Sequence, residues 1–220
     1  MYPKIREIIV TWRKGRGSRR IPIGIVRKNE TEGMSFRYIP EGVEQAKTDG
    51  FVCYPDFTDT SRVYNQNVQQ VLAHRLNSPE RPDIDKYYEF WEIPENSRND
   101  VFRMLAYTQG QLPTDNFEFL ALYYSVSGVH FVSEITGFSE NPLETGSIYE
   151  GCMLDWKLER NNEFDKKAVV LYYDGEKVGY VKKLHNDVFH LRNSKSLKVK
   201  VKKLEQNGHV KKAYILIFST

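Results

Sequence analysis

The chain has few of the residues from which metal centres, redox sites and disulfides are built. Its 220 residues include 2 cysteines and 5 histidines. Cys53 and Cys152 stand far apart, and no Cys-x-x-Cys motif or Cys/His cluster with metal-ligand spacing occurs. We therefore expect no metal, no cofactor and, in a reducing compartment, no disulfide.

Long apolar runs are also absent. No stretch approaches the roughly 20 apolar residues that a membrane-spanning helix needs, and the first residues, Met-Tyr-Pro-Lys-Ile-Arg, lack the apolar region of a secretion signal. Hydrophobic residues still make up 40% of the chain and aromatic residues 13%, which is enough for a buried core. These features favour a cytoplasmic protein without a membrane partner.

The net charge of +3 is small, but it is unevenly distributed. Residues 176–220 contain 11 lysines and arginines against 3 aspartates and glutamates, whereas residues 134–165 contain 2 against 8. A basic segment of this kind is typical of a surface that binds a polyanion such as DNA. The alternative is that its lysines only keep exposed strands soluble.

The N-terminal part of the chain, residues 1–125, predicts a small antiparallel sheet with helices. Short segments rich in β-branched residues predict three strands, at residues 5–12, 21–26 and 34–39.

The helices of this part are predicted from apolar spacing and from capping residues. The spacing in residues 63–76 predicts one helix, and shorter helices are expected after Asp83 and after Asn99-Asp100, since these residue types cap helices. Residues 115–120 are expected to form a short helical turn or a loop.

The C-terminal part, residues 126–220, predicts a β-barrel. From Ile148 to Leu158 the apolar residues fall on one parity and the charged residues on the other. Tight turns at Asp174-Gly175 and Asn207-Gly208 connect further segments of this kind. Several strands joined by tight turns indicate a small barrel of the SH3 or OB type, so the fold class expected for the whole chain is α+β.

The segment from Asn161 to Val170 is the most informative part of the sequence. It places Asn162, Phe164 and Asp165 in a turn that leads into a buried strand, and Gly179-Tyr180-Val181-Lys182-Lys183 follows after a hairpin. This layout brings an acid, aromatic rings and cations to one small surface, which is a combination that holds a nucleotide.

The same residues also have purely structural interpretations. Asp165 can cap the amides of its own loop, and Phe164 can fill the core of a small barrel. Lys198, Lys200 and Lys202 line one face of a later strand, where they either contact phosphates or protect the edge of a sheet.

Residues 130–195 resemble a HIRAN domain. The resemblance rests on the strand that ends in Ile135-Thr136-Gly137-Phe138, on Gly151–Leu158 running into Glu159-Arg160-Asn161-Asn162-Glu163-Phe164-Asp165, on Ala168-Val169-Val170, and on Val178-Gly179-Tyr180-Val181 with a following short helix. HIRAN domains are small β-barrels related to OB and SH3 folds, and they bind single-stranded DNA, in particular a free 3′ end. The resemblance therefore implies a barrel that binds DNA.

The resemblance also implies roles for individual residues. Asn162-Glu163-Phe164-Asp165 matches the family's Asn-x-Tyr/Phe-Asp motif, so Asp165 would accept a hydrogen bond from a 3′-hydroxyl while aromatic rings stack on the terminal base. Tyr180 would face the pocket, and Lys182 and Lys183 would neutralise phosphates.

The sequence departs from the family in one place. DNA-end-binding members carry an arginine and a tyrosine shortly after the glycine that Gly137 matches, whereas this chain has Phe138-Ser139-Glu140-Asn141. The carboxylate of Glu140 would repel a phosphate. The resemblance thus implies the barrel more directly than it implies the capture of a 3′ end.

Residues 5–120 show a fainter resemblance to the N-terminal subdomain of HipA-type Ser/Thr kinases. It rests on Ile8-Ile9-Val10-Thr11-Trp12, Ser35-Phe36-Arg37-Tyr38, His74-Arg75-Leu76 and Asp100-Val101-Phe102-Arg103-Met104-Leu105. The kinase core, with its ATP-binding and catalytic residues, is not in the sequence. This resemblance implies docking on a HipA-type kinase or on DNA beside one. For docking on the kinase we expect an exposed apolar patch in residues 60–125.

No set of residues in the sequence forms a catalytic constellation. Asp83 and Asp85 lack further partners, and His185, Asp187 and Ser194 do not make a nucleophile–base arrangement. We therefore predict a non-catalytic DNA-binding module for single strands or DNA ends, in a bacterial defence, repair or toxin–antitoxin context. The alternative is an antitoxin-like protein that docks on a HipA-type kinase.

Overall fold

The chain forms two units, each built around its own β-sheet. The computed structural model describes residues 4–15, 17–137, 143–144, 146–207 and 209–220. One unit comprises Ile5–Leu122, and the other comprises Tyr123–Thr220 together with Lys4.

The first unit contains a five-stranded antiparallel sheet and four helices. Its strands, in the spatial order β4-β3-β2-β1-β5, are β1 (Ile5–Trp12), β2 (Ile21–Asn29), β3 (Gly33–Tyr38), β4 (Val63–Tyr64) and β5 (Phe117–Tyr123). Its helices are α1 (Pro40–Lys47), α2 (Val68–Ala73), α3 (Ile84–Phe90) and α4 (Val101–Thr108). Aromatic rings pack together in its core, among them Phe36, Tyr38, Tyr54, Phe57 and Phe117. Asp100 caps α4 as predicted, because its carboxylate accepts a hydrogen bond from the Arg103 amide at 3.1 Å.

Two of the predictions for this unit are wrong. The helix predicted for residues 63–76 begins only at Val68, because Tyr64 pairs with Phe36 of β3 and its ring packs on the ring of Phe57. Residues 115–120, predicted as a helical turn or loop, contain the start of β5, all seven residues of which are buried. A strand that is buried on both faces does not alternate between apolar and polar residues, so the two-residue period of a β-strand is not visible in its sequence.

The second unit is a closed six-stranded antiparallel barrel. Its strands follow the spatial order β10-β11-β6-β9-β8-β7, with β6 (His130–Thr136), β7 (Met153–Leu158), β8 (Val169–Tyr173), β9 (Glu176–Val181), β10 (Leu197–Gln206) and β11 (Val210–Ser219). Two 3₁₀ turns, His185–His190 and Ser194–Ser196, lie between β9 and β10. The predicted fold class is confirmed: an α+β chain in which a small antiparallel sheet with helices precedes a small β-barrel.

The barrel interior is filled by alternate residues of its strands. Leu154, Leu171 and Val199 are at most 4% exposed, while Lys157 and Lys198, on the other parity of their strands, are exposed. This is the alternation that a half-buried strand shows. The outward side chains of neighbouring strands therefore share one surface, and the candidate site lies on it.

None of the helices in the described part of the chain has the length and apolar character that crossing a membrane requires.

Candidate nucleic-acid interface

The candidate site begins at the loop between β7 and β8, residues 159–167, which we call the β7–β8 loop. The side-chain oxygen of Asn162 accepts hydrogen bonds from the backbone amides of Phe164 and Asp165, at 3.0 and 2.9 Å. This is an Asx turn, in which an asparagine side chain replaces a backbone carbonyl. The turn presents Phe164 at its tip, and 85% of that residue is exposed.

Asp165 holds the second half of the loop. One carboxylate oxygen accepts the Lys167 amide at 2.9 Å, and the other accepts the side-chain amide of Asn186 at 2.8 Å. Asn186 is 1% exposed and belongs to the 3₁₀ turn His185–His190. The loop is therefore fastened to a buried part of the barrel. An ionised carboxylate has about four acceptor positions, so two protein donors leave Asp165 able to accept another.

These contacts distinguish the structural from the ligand-binding interpretation of Phe164 and Asp165. The core-filling interpretation of Phe164 is excluded by its exposure. The loop-capping interpretation of Asp165 describes what its carboxylate does in the structure, although this role leaves room for a ligand. Asn162 has the structural role of holding the turn.

A β-bulge in β9 decides which side chains face the loop. Leu171 of β8 pairs with Gly179, but the next residue of β8 pairs with Lys177, so Val178 is an extra residue on β9. Gly179 has a φ of 135°, which favours glycine. In a regular strand, residues three apart point to opposite faces; the bulge places Lys177 and Tyr180 on the same face.

Lys177 and Tyr180 join the β7–β8 loop through a hydrogen-bond network. The Lys177 ammonium donates to the Tyr180 hydroxyl at 2.6 Å, and that hydroxyl donates to the Glu159 carboxylate at 2.9 Å. The same carboxylate oxygen accepts the Asn162 side-chain amide at 2.6 Å. The hydrogen bond from Asn162, more than any other contact, holds the pKa of Glu159 below its ordinary value, and the hydrogen bond with Tyr180 raises the pKa of Lys177. Both groups are therefore charged at neutral pH.

The two lysines that follow β9 have different surroundings. Lys182 is fully buried, and its ammonium lies 3.2 Å from the carboxylate of Glu134. The prediction that Lys182 contacts phosphate is therefore wrong, because a buried and paired ammonium does not reach a surface ligand. Lys183 is exposed, and its contact with phosphate stays a prediction.

The three lysines of β10 do not join the loop in one cluster. Lys198, Lys200 and Lys202 are on the strand that lies three places from β9 in the closed ring. Lys200 pairs with Met153, and Gly151 and Cys152 form backbone hydrogen bonds with Val201, so Lys202 is level with residues about seven positions before the end of β7. At about 3.3 Å per residue this is roughly 23 Å from the loop. Lys198 is near the loop end of the barrel, and the other two lysines are progressively farther from it.

Tyr180 also lines a cleft of about 650 Å³. Its lining in the described residues includes Lys177 and Tyr180, together with the carboxylates of Glu144, Asp174 and Glu176. Three carboxylates against one ammonium make this cleft unfavourable for a phosphate.

Comparisons with known proteins leave the family of this chain open. No family model matches it, and no curated protein matches it. Among solved structures it is similar to the HIRAN domain of human HLTF, with 18% sequence identity and a TM-score of 0.33 over 41% of this chain and 76% of that chain. A similarity of this extent does not establish membership, so the HIRAN resemblance stays a resemblance.

The HipA-type resemblance has no support from these comparisons. It led us to expect an exposed apolar patch in residues 60–125. In that range Val63 and Tyr124 are exposed, and Val71, Leu76 and Phe90 are half-buried, so the patch stays a prediction.

Sequence reasoning missed three residues of this site. Glu159, Lys177 and Asn186 connect the loop to β9 and to the 3₁₀ turn, but the sequence assigned a role to none of them, although Glu159 lies in the segment that resembles a HIRAN domain. The one available signal was Gly179, since a glycine inside a strand often marks a bulge. The departure at Phe138-Ser139-Glu140-Asn141 lies outside the described residues. Among the residues that the structure does describe, no group of three or more His, Cys, Asp or Glu side chains is placed to hold a metal ion.

Proposed function

We propose that the barrel is a non-catalytic module that binds single-stranded DNA at the β7–β8 loop, with Phe164 stacking on a base. The observation that carries this proposal is the 85% exposure of Phe164 on a turn in which the Asn162 side chain accepts hydrogen bonds from the amides of Phe164 and Asp165. An exposed aromatic ring on an ordered backbone loses little conformational freedom when a base stacks on it.

Stacking contributes more to the proposed binding than charge does. The β7–β8 loop carries three acidic and three basic residues, so it has no excess of positive charge. Stacking of one base on an aromatic ring contributes about 1–3 kcal/mol. Exposed Lys166 and Lys183 are the cations that we assign to the neighbouring phosphates, and two such contacts predict a shallow salt dependence with a slope of about −1.4.

The finer part of the proposal concerns the DNA end. The remaining acceptor positions of the Asp165 carboxylate suit a hydroxyl donor such as a 3′-OH. A 3′-phosphate in the same place would meet a negative charge, so the module would prefer a free 3′-hydroxyl.

The test is a fluorescence-anisotropy titration with short thymidine oligonucleotides labelled at the 5′ end, at two salt concentrations. We expect Phe164→Ala to weaken binding by about 5- to 150-fold, which corresponds to about 1–3 kcal/mol. Tyr124→Ala, which removes another exposed ring (64% exposed) outside the loop, is the matched control. Absence of binding by the wild-type protein at low salt, or equal affinities of Phe164→Ala and the wild type, would refute the proposal. Equal affinity for 3′-hydroxyl and 3′-phosphate strands would refute only the preference for a free end.

A further inference from the structure

The outward face of β7, β8 and β9 carries lysines and tyrosines at neighbouring positions. The strand register places Asp155, Tyr172 and Lys177 in one row across the three strands, and Lys157, Val170 and Tyr180 in the next row, nearer the β7–β8 loop. We call the four residues Lys157, Tyr172, Lys177 and Tyr180 the lysine–tyrosine face.

Each tyrosine of this face has a lysine beside its ring. The Lys157 ammonium lies 5.1 Å from the centroid of the Tyr172 ring, and the Lys177 ammonium lies 4.3 Å from that of Tyr180. Neighbouring strands are about 4.8 Å apart, and alternate residues of one strand are about 7 Å apart. The face therefore carries two half-buried rings and two exposed lysines within an area of roughly 10 by 7 Å, with the buried Val170 between Lys157 and Tyr180.

The lysine–tyrosine face continues directly from the β7–β8 loop. Lys157 stands one residue before the end of β7, and Tyr180 is hydrogen-bonded to Glu159 at the start of the loop. The turn that presents Phe164 is held by Asn162, which donates to the same carboxylate. The face therefore begins where the β7–β8 loop begins.

The charges that border the lysine–tyrosine face differ between its two sides. Beyond Tyr180 lies the cleft with its three carboxylates, which repel a phosphate backbone. On the opposite side β10 adjoins β7, and Lys200 pairs with Met153 in the register, so outward lysines of β10 border the face there. Asp155 lies within the face and lowers its positive charge, which leaves the rings as the larger source of affinity.

We propose, as an extension of the function proposed above, that a single strand held at Phe164 crosses the lysine–tyrosine face from β9 towards β7 and β10. Bases stack on the rings of Tyr172 and Tyr180, and the ammonium group of Lys157 moves from the Tyr172 ring to a phosphate. Base stacking exceeds a cation–π contact at an exposed site, so this exchange favours the bound strand.

The experiment compares affinities for a thymidine trinucleotide and for a strand of about ten nucleotides, within the ~4–16 that OB-type barrels cover. The trinucleotide reaches only the loop, and the longer strand also reaches the face. We expect Tyr172→Ala to lower affinity for the longer strand by about tenfold, which is within the range for one stacked base. Lys157→Ala should lower it as well and reduce the salt slope by about 0.7, because one phosphate contact is lost. Both variants should leave affinity for the trinucleotide unchanged. Phe164→Ala should weaken the binding of both strands.

Lys211→Ala is the matched control, because Lys211 is an exposed lysine on β11, the strand opposite β8 in the ring. Wild-type affinity of Tyr172→Ala and Lys157→Ala for the longer strand, or an equal loss in Lys211→Ala, overturns the inference. Equal binding of duplex DNA overturns it as well, since paired bases do not stack on protein rings. If the wild-type protein binds neither strand, the function proposed above fails instead. Thermal melting of each variant shows that it is folded.

Discussion

The side-chain amide of Asn186 lies 2.8 Å from the carboxylate of Asp165. The same nitrogen is 2.8 Å from the backbone carbonyl of Lys167. One buried amide therefore fastens the β7–β8 loop to the 3₁₀ turn that follows β9. The loop is thus held in place by a residue that stands twenty-one positions after Asp165. The presentation of Phe164 depends on this contact.

Asn186→Ala should loosen the loop and destabilise the barrel. We expect the free energy of unfolding to fall by about 1–3 kcal/mol, because the substitution removes two hydrogen bonds of a buried side chain. Chemical denaturation measures this loss, and hydrogen exchange of the Lys167 amide reports the loosening. Asn161→Ala is the control, since Asn161 is exposed. Equal stability of the two variants would contradict the role assigned to Asn186.

Asn162→Ala should raise the pKa of Glu159 towards its ordinary value of 4.5. The hydrogen bond from Asn162 is the largest cause of the lowered pKa, ahead of the bond from Tyr180, so Tyr180→Phe should raise it less. An NMR titration of the Glu159 carboxyl carbon measures both shifts.

The sign of the linked stability follows from the direction of this shift. A carboxylate whose pKa is lowered by folding stabilises the folded state above its unfolded pKa and loses that contribution as the pH falls through its folded pKa. The stability difference between the wild type and Asn162→Ala should therefore shrink below about pH 4.5. A larger rise in the pKa of Glu159 in Tyr180→Phe would contradict the assigned order of the two bonds.

Glu134→Gln should destabilise the barrel more than Lys182→Met does. The Glu134 carboxylate lies 3.2 Å from the Lys182 ammonium and 3.1 Å from that of Lys212. Its removal leaves two ammonium groups without the negative charge between them, and breaking a buried pair in this way costs about 3–5 kcal/mol. Lys182→Met keeps the volume and leaves Glu134 paired with Lys212. Denaturant midpoints give the order, and a greater loss in Lys182→Met would show that this account is incorrect.

Gly42→Ala should destabilise the first unit, although alanine is the better helix former. Gly42 lies in α1, and a Cβ there would be 1.7 Å from the carbonyl oxygen of Pro22. Only a shift of the backbone can relieve this overlap, and overpacking of this kind typically costs about 1–3 kcal/mol. The usual gain from replacing glycine by alanine in a helix is about 1 kcal/mol. Gly15→Ala is the control, because a Cβ there would have no heavy atom within 4 Å. A Gly42→Ala variant as stable as the wild type would show that α1 moves away easily.

The sequence was sufficient for the architecture because the architecture depends on local patterns. Alternation in β7 and the turn at Asp174-Gly175 are properties of neighbouring residues, and both led to the barrel. The predictions for residues 63–64 and for β5 were wrong. Residues 63–64 form a strand because they pair with β3, which lies far along the chain, and β5 shows no alternation because it is buried on both faces.

The candidate site was predictable only in part, for the same reason. Asn162, Phe164 and Asp165 lie in one turn, as their motif indicated, and Tyr180 reaches the loop through Asn162 and Glu159, as the hairpin between the two segments indicated. The burial of Lys182 depends on Glu134, which stands 48 positions earlier and gives no local signal.

The extra residue in β9 has a consequence for mutation by deletion. Without Val178, Lys177 and Tyr180 would stand two residues apart, and such residues of a regular strand point to the same face. Regular pairing of β8 and β9 would then keep the lysine beside the tyrosine ring. Loss of this single codon should therefore remove the bulge without taking the lysine–tyrosine face apart.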